Sequence, residues 1–235
     1  MGTLYLVPTP IGNLADITLR GLRTLFSVDI IACEDTRRTG MLLDKLFAEF
    51  APADDEKRKP QLLSYYDQIE TQRIPEIISL LQVGQTIALI SDAGTPAISD
   101  PGFKLVRECL HEKIKVVSLP GASAVITALV GSGLPTDKFL FAGYPPHKPG
   151  HRIDFFKNIK TSLETIKSTV ILFEAPHKVI KTLGDMQEVF GDIEIVFARE
   201  LTKIFEEVKK KKISDALIQF KKKPPKGEFV LLFHL

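Results

Sequence analysis

Three turns rich in glycine and proline, each directly behind a short apolar run, restrict the fold of this 235-residue chain more than anything else in it. Leu4-Tyr5-Leu6-Val7 leads into Pro8-Thr9-Pro10-Ile11-Gly12-Asn13. The run over 87–90 leads into Ser91-Asp92-Ala93-Gly94-Thr95-Pro96-Ala97-Ile98-Ser99-Asp100-Pro101-Gly102, and Val116-Val117 into Leu119-Pro120-Gly121-Ala122-Ser123-Ala124. The implied unit is strand, tight turn, helix. In an open parallel sheet such turns gather beyond the carboxyl ends of the strands, where backbone N–H groups and helix N-termini face a ligand. One such turn is usually a connector, whereas three in a chain of this size describe a crevice.

The remaining pattern agrees. Strands are expected over 4–8, 29–33, 61–64, 87–90 and 115–118, alternating with helices over 18–26, 38–46, 72–81, 102–111 and 123–130, and this alternation predicts a parallel α/β sheet. Residues 51–60 carry two prolines and many charges without an apolar period, and read as a surface loop. Beyond Gly131 and Gly133 the character changes. A strand over 139–143 is followed by a basic, aromatic-led loop over 144–152, then by strands over 169–173, 194–198 and 228–234. The lysine-rich stretch 206–212 reads as a hairpin arm, and 139–142 is expected to pair antiparallel with the last two strands. The fold class is therefore α/β, with two α/β domains, 1–117 and 118–235, the second built on a mixed sheet.

Net charge is only +2, which argues against a wholly basic coat for nucleic acid. Distribution matters more than the sum, because residues 203–226 hold nine lysines against three acids. Such a stretch attracts phosphate, or guards a hairpin edge. Cys33 and Cys109 stand far apart with no ligand spacing around them, so neither a disulfide framework nor a metal site is indicated. No stretch reads as a signal peptide or membrane span, and the expectation is a soluble, cytoplasmic protein.

A dinucleotide fingerprint would place Gly-x-Gly-x-x-Gly after the first strand, where this chain has Pro8-Thr9-Pro10-Ile11-Gly12. The Gly-Lys-Ser/Thr phosphate loop is also missing. What remains is a ligand held by backbone amides and by Asp92, Ser99, Asp100 and Ser123, which suits a zwitterionic, adenosine-bearing molecule without phosphate.

These loops resemble those of the tetrapyrrole methylase superfamily. Adding Cys33-Glu34-Asp35-Thr36-Arg37, Leu134-Pro135-Thr136-Asp137-Lys138-Phe139, Ala175-Pro176-His177-Lys178 and Ala198-Arg199-Glu200-Leu201-Thr202-Lys203, the chain is most similar to the ribosomal RNA small subunit methyltransferase I family, in one order from residue 4 to about 231. The resemblance implies a homodimer that uses S-adenosylmethionine to methylate the ribose 2′-oxygen of a decoding-region cytidine in 16S rRNA, naked or within the 30S subunit, with no DNA or membrane partner. It implies a donor pocket of Pro8, Asp92, Gly94, Thr95, Pro96, Ser99, Ala122 and Ser123, completed by Phe173, Glu174, Ala198 and Gly227. Two other readings share these loops: a methylase of a corrin or porphyrin precursor, and an rRNA-binding assembly factor without chemistry.

A ribose hydroxyl must lose its proton as it attacks, so a carboxylate or histidine within reach is required. Glu34, Asp35 and Asp100 are the first candidates. Glu34 and Asp35 follow the second strand and so face the crevice end of the sheet, although Asp35 also suits a helix cap. His177 and Glu200 are further candidates. Phosphate contact is expected from Arg37, Arg38, Lys148, Arg152, His177, Lys178, Arg199 and Lys203, with Tyr144 stacking on an extruded base. Two departures stand out: the family's Leu-Pro-Arg-Lys after the glycine is here Tyr144-Pro145-Pro146-His147-Lys148, and its Pro-His-Arg is here Pro176-His177-Lys178, where lysine replaces a bidentate fork by a point charge.

Overall fold

The computed structural model describes residues 1–50 and 59–235. Most of the surface loop expected over 51–60 thus lies outside the described residues. The chain divides into two compact units, Met1–Ser123 and Ala124–Leu235. The sequence placed this division at 117/118; in the structure the third glycine turn stays with the first unit because Leu119 N–H donates to Leu6 O at 3.0 Å, continuing the sheet.

The first unit is a five-stranded sheet in the order β3-β2-β4-β1-β5, formed by β1 (Thr3–Leu6), β2 (Ile30–Cys33), β3 (Gln61–Ser64), β4 (Ile87–Leu89) and β5 (Lys115–Ser118). Every pairing is parallel. Helices α1 (Leu19–Ser27), α2 (Thr36–Phe50), α3 (Glu70–Gln82) and α4 (Phe103–His111) form the crossovers. Alternate strand residues serve opposite faces, as the pleat requires. Ile30, Ala32, Ile87 and Leu89 pack with Ile77 and Leu81 of α3 and Leu105 of α4. Their neighbours Ile31, Cys33, Ala88 and Ile90 pack with Leu25 of α1 and Leu46 of α2. Each fully buried leucine or isoleucine contributes roughly 1.5–3 kcal/mol of transfer free energy, so both faces must be covered. α1 begins where Thr18 Oγ1 accepts from Gly21 N–H at 2.9 Å, a side-chain cap on an otherwise unpaired donor.

The second unit is also five-stranded, in the order β6-β7-β10-β8-β9: β6 (Phe139–Phe141), β7 (Thr169–Glu174), β8 (Glu194–Arg199), β9 (Glu207–Lys212) and β10 (Phe229–Phe233). β10 is antiparallel to both β7 and β8, and β8 to β9, so the lysine-rich arm is the edge of a hairpin as expected. One expected pairing is corrected: β6 runs parallel to β7 and touches neither late strand. The reason is the long connection, which holds helix α6 (Pro149–Thr165), a crossover that returns the chain in the same direction. That helix also corrects the loop expected over 144–152, whose last residues are its first turn, opened by Pro149. α5 (Ala124–Gly131) packs against β10. α6, α7 (Val179–Phe190) and α8 (Ile213–Lys222) supply Phe156, Leu183 and Ile213 to a core with Leu172, Phe197 and Phe233. No helix among the described residues is long and apolar enough to cross a membrane.

Candidate active site

Beyond the carboxyl end of the parallel sheet the three turns are stitched together. Thr9 and Gly94 exchange both backbone hydrogen bonds, at 2.9 and 3.0 Å. Thr9 Oγ1 donates to Ser91 O at 3.1 Å, and Ser91 Oγ to Gly94 O at 3.2 Å. The third turn is tied in by Thr95 Oγ1, which donates to Ala122 O at 3.0 Å. It lies so close to the first that a Cβ on Gly121 would sit 2.6 Å from Pro8 Cβ, a distance only glycine avoids. Within the second turn Ala97 and Ser99 hold φ of 67° and 62°. Left-handed backbone at residues carrying a side chain costs on the order of 1–3 kcal/mol each and clusters at functional sites. The first and second turns line a small cavity of about 130 Å³ with Arg38, Thr39 and Leu42 of α2, and Ser91 and Asp92 on its wall.

Carboxylates crowd this end of the sheet. Burial pushes the Glu34 carboxyl up to about 7, helped by the charges of Asp100, Asp92 and Asp67, while the Asp92 N–H pulls the other way. Its Oε1 is buried without a hydrogen-bond partner among the described residues. Asp100 is likewise pushed up to about 6 by burial, with Asp92 and Asp67 adding to the effect and a hydrogen bond from Ser91 opposing it. Two of the three expected catalytic acids therefore share a site and a perturbation, the combination that marks proton-transfer groups.

Asp35 does not join them. Its Oδ1 accepts from Arg37 N–H at 2.8 Å and Arg38 N–H at 3.3 Å, capping α2. Those hydrogen bonds hold its carboxyl below the usual range, the opposite of what a base requires. Glu200 is excluded on similar grounds: the Glu228 N–H and the Lys203 ammonium outweigh its burial and lower it.

Two residues escaped the sequence reading. Asp67 follows β3 as Glu34 follows β2, and its position in a carboxyl-end turn was the available signal. Glu70 carried none, because a glutamate opening a helix is ordinarily exposed. Here it is only 4% exposed and accepts from Tyr65 Oη at 2.8 Å and Gly102 N–H at 2.9 Å, with Lys104 Nζ 2.9 Å away. It thereby clamps the far end of the turn that carries Asp100.

The expected residues of the second unit fall into distinct groups. Phe173 is half-buried at the end of β7, its ring 4.9 Å from that of Phe141 and 5.5 Å from that of Tyr144. Glu174 has its side chain buried, accepting from Ala175 N–H at 2.9 Å and from Thr182 Oγ1, so that only its main chain is left to meet a ligand. Ala198 is buried in β8 between Val230 and Val208. Gly227 holds φ +86°, with Glu200 Cγ 2.6 Å from where a Cβ would stand.

Of the expected RNA contacts, Arg37, Tyr144, Lys148 and His177 are exposed. Arg38 is paired with Asp92, and Lys178 Nζ lies 3.2 Å from His147 Nε2. Arg199 binds Glu207 at 3.0 Å, and Lys203 binds Glu200 and Glu228 at 3.2 and 3.0 Å, so both are engaged within the unit. Arg152 is corrected outright. It is 4% exposed, its Nε 2.5 Å from Asp185 Oδ2 and its Nη1 donating to the carbonyls of Pro146 and His147. A guanidinium so enclosed holds the start of α6 and is withdrawn from the surface that RNA would meet.

Glycine-lined turns joined beyond a parallel sheet, ahead of a second mixed α/β unit, define an α/β methyltransferase: the model of the tetrapyrrole (corrin/porphyrin) methylases matches residues 3–217, and the chain belongs to that family. A solved member of the fold, uroporphyrin-III C-methyl transferase from Thermus thermophilus complexed with S-adenyl homocysteine, is similar with a TM-score of 0.64 at 15% identity, covering 98% of this chain and 97% of that one. Much nearer in sequence are proteins named ribosomal RNA small subunit methyltransferase I. That of Thermotoga maritima is 43% identical over 232 residues, 99% of this chain and 98% of the relative. That of a Hydrogenobaculum species is 46% identical over 230 residues, 97% and 94%. The resemblance read from the motifs is thus borne out: within the family, the chain is one of the small subunit rRNA methyltransferases and depends on S-adenosylmethionine. The site fits that donor, a sulfonium nucleoside. It offers main-chain groups, small side chains and uncompensated carboxylates, and an orphaned buried Glu34 Oε1 favours a cation or a proton donor nearby.

Proposed function

We propose that this protein methylates the ribose 2′-oxygen of a cytidine in the decoding region of 16S rRNA, with Glu34 as the base that receives the hydroxyl proton and Asp100 as the neighbour that keeps it poised. The observation carrying this reading is the half-buried Glu34 carboxylate, pushed up to about 7 with one oxygen unpartnered. A base titrating near neutrality is both ionised often enough and basic enough to assist a weak nucleophile, typically a 10²–10⁴-fold effect.

When bound, the donor supplies an activated methyl group on a cationic sulfur, and the protein's share is alignment and proton removal. Pro8, Asp92, Gly94, Thr95, Pro96, Ser99, Ala122 and Ser123 would hold it, mainly through the main chain of the three joined turns. Asp92 and Asp100 set a negative potential suited to the sulfonium. Exposed Arg37, Lys148 and His177 would meet phosphates, and Tyr144 a base. The names of the relatives favour rRNA over a macrocycle and over an assembly factor without chemistry. The same reading makes the protein a cytoplasmic homodimer acting on rRNA or the 30S subunit.

The test offers tritium-labelled S-adenosylmethionine with naked 16S rRNA, 30S subunits or a porphyrinogen. Label in RNA, resistant to alkaline cleavage at one cytidine, is the expected result. Uptake by the porphyrinogen alone, or by a base rather than a ribose, overturns it.

A further inference from the structure

The second unit contains a larger cavity, of about 710 Å³, between the β8–β9 hairpin, α8 and the loop before β10. Its size is that of a small-ligand or single-nucleotide site. β9 contributes alternate residues to it, Glu207, Lys209 and Lys211, while Lys210 turns to the other side of the strand and pairs with Glu194. The two lining carboxylates are already engaged: Glu207 by Arg199 and Lys209, at 3.0 and 2.8 Å, and Glu200 by Lys203. Lys211, Lys223 and Lys226 have no carboxylate partner among the described residues, Lys211 Nζ donating instead to the neutral Gln219 Oε1 and so keeping its charge uncompensated. On the same wall stand the consecutive prolines Pro224 and Pro225, and at the rim the ring of Phe205, 73% exposed.

Guarding of an edge strand accounts for lysines on β9. It does not account for Lys223 and Lys226, which lie on a loop, nor for a phenylalanine left in water. A free phosphate would use the ammonium groups and leave the ring without a role. An apolar peptide would use the ring and cover unpaired charges. A second copy in a symmetric pair would have to bring carboxylates of its own against these lysines, and the two carboxylates of this patch are already engaged. Single-stranded nucleic acid needs both parts, a cationic groove for the backbone and an aromatic face on which an unstacked base rests.

We infer that this pocket is a separate single-stranded RNA site, in which one splayed nucleotide of the substrate stacks on Phe205 while its phosphates lie against Lys211, Lys223 and Lys226. The inference rests on the reading that the substrate is RNA and adds where on the second unit the strand is held. Recognition here is tolerant of sequence, because every base has a stacking face.

The experiment measures fluorescence anisotropy of a labelled single-stranded oligoribonucleotide of about 12 nucleotides, across a salt series, with the full-length protein. Phe205→Ala, a change at an exposed ring, is expected to weaken binding about tenfold. The double variant Lys223→Ala/Lys226→Ala is expected to flatten the slope of log K against log salt by about 1.4. Heat of binding of S-adenosylhomocysteine stays unchanged in both. If wild type binds and methylates 16S rRNA and the variants bind RNA equally well, the pocket assignment is overturned and the proposed function stands. If wild type neither binds nor methylates any RNA, the proposed function fails, and the pocket assignment with it. If Phe205→Ala instead converts a dimer to a monomer in light scattering, the face belongs to a second copy and the assignment is overturned.

Discussion

Arg38 Nη1 lies 2.9 Å from Asp92 Oδ2, joining the first turn of α2 to the turn behind β4. Of the acids around Glu34, Asp92 thus has a counterion, and its negative charge acts on Glu34 in attenuated form. Removing that counterion should make Glu34 harder to ionise. Arg38→Ala is expected to move the midpoint of the pH–rate profile upward from about 7 by roughly half a unit, as an uncompensated like charge a few ångströms away does. A purely RNA-binding arginine would instead raise KM and leave the midpoint in place.

Glu34→Gln should lower turnover by about 10²–10⁴ while calorimetry finds donor affinity retained. Stability gives a second readout of opposite sign. Between the ordinary glutamate value of 4.5 and about 7 the folded state keeps a proton that the unfolded chain has released. The wild type is therefore favoured below that window and loses this contribution as pH rises through about 7. Urea denaturation at pH 8.5 should find the variant more stable, by up to about 3 kcal/mol, and near-equal at pH 4. Equal stability at both pH values, with normal turnover, would remove Glu34 from the mechanism.

Asp35→Ala separates capping from catalysis. Losing the acceptor for the Arg37 and Arg38 N–H groups should lower Tm by about 2–4 °C and leave turnover within a few-fold. A turnover loss as deep as that of Glu34→Gln would return Asp35 to the reaction.

Arg152→Ala leaves Asp185 without its partner in a largely buried setting. The expected cost is about 3–5 kcal/mol, read as a lower urea midpoint, with the salt dependence of RNA binding unchanged in protein that remains folded. A stable variant with weakened RNA binding would reverse this assignment.

Gly227→Ala places a methyl group against Glu200 on a backbone already at positive φ. A loss of about 1–3 kcal/mol is expected, with only part recovered by adding Glu200→Ala, since the second change removes the clash and not the backbone strain. Full recovery would mean that the φ carries no penalty.

The parallel sheet and its three turns were legible because their information is local. Gly and Pro set backbone angles where they stand, and a run such as Ile87 to Ile90 declares a strand buried on both faces. The hairpin edge at β9 was legible from its lysine run, whereas the strand order of the parallel sheet was not and is known only from the pairing in the structure. The direction of β6 was not legible: Phe139 to Phe141 reads the same whichever way it pairs, and only the helix crossing from Pro149 decides it.

Side chains divide along the same line. That Glu34 and Asp100 stand at carboxyl-end turns could be read from their places in the chain, and so could the capping potential of Asp35. What each carboxylate does could not. Proton affinity depends on burial and on charges brought from other turns, and Asp67, Asp92 and Asp100 meet Glu34 only once β2, β3 and β4 lie side by side. Arg152, expected to meet RNA, and Glu70, which the sequence did not single out, make the same point from the other direction, because each is withdrawn from water by partners distant in the chain. Sequence alone determined which backbone turns exist; tertiary structure decided which charges they leave uncompensated, since electrostatic energy depends on distance through space and on access to water.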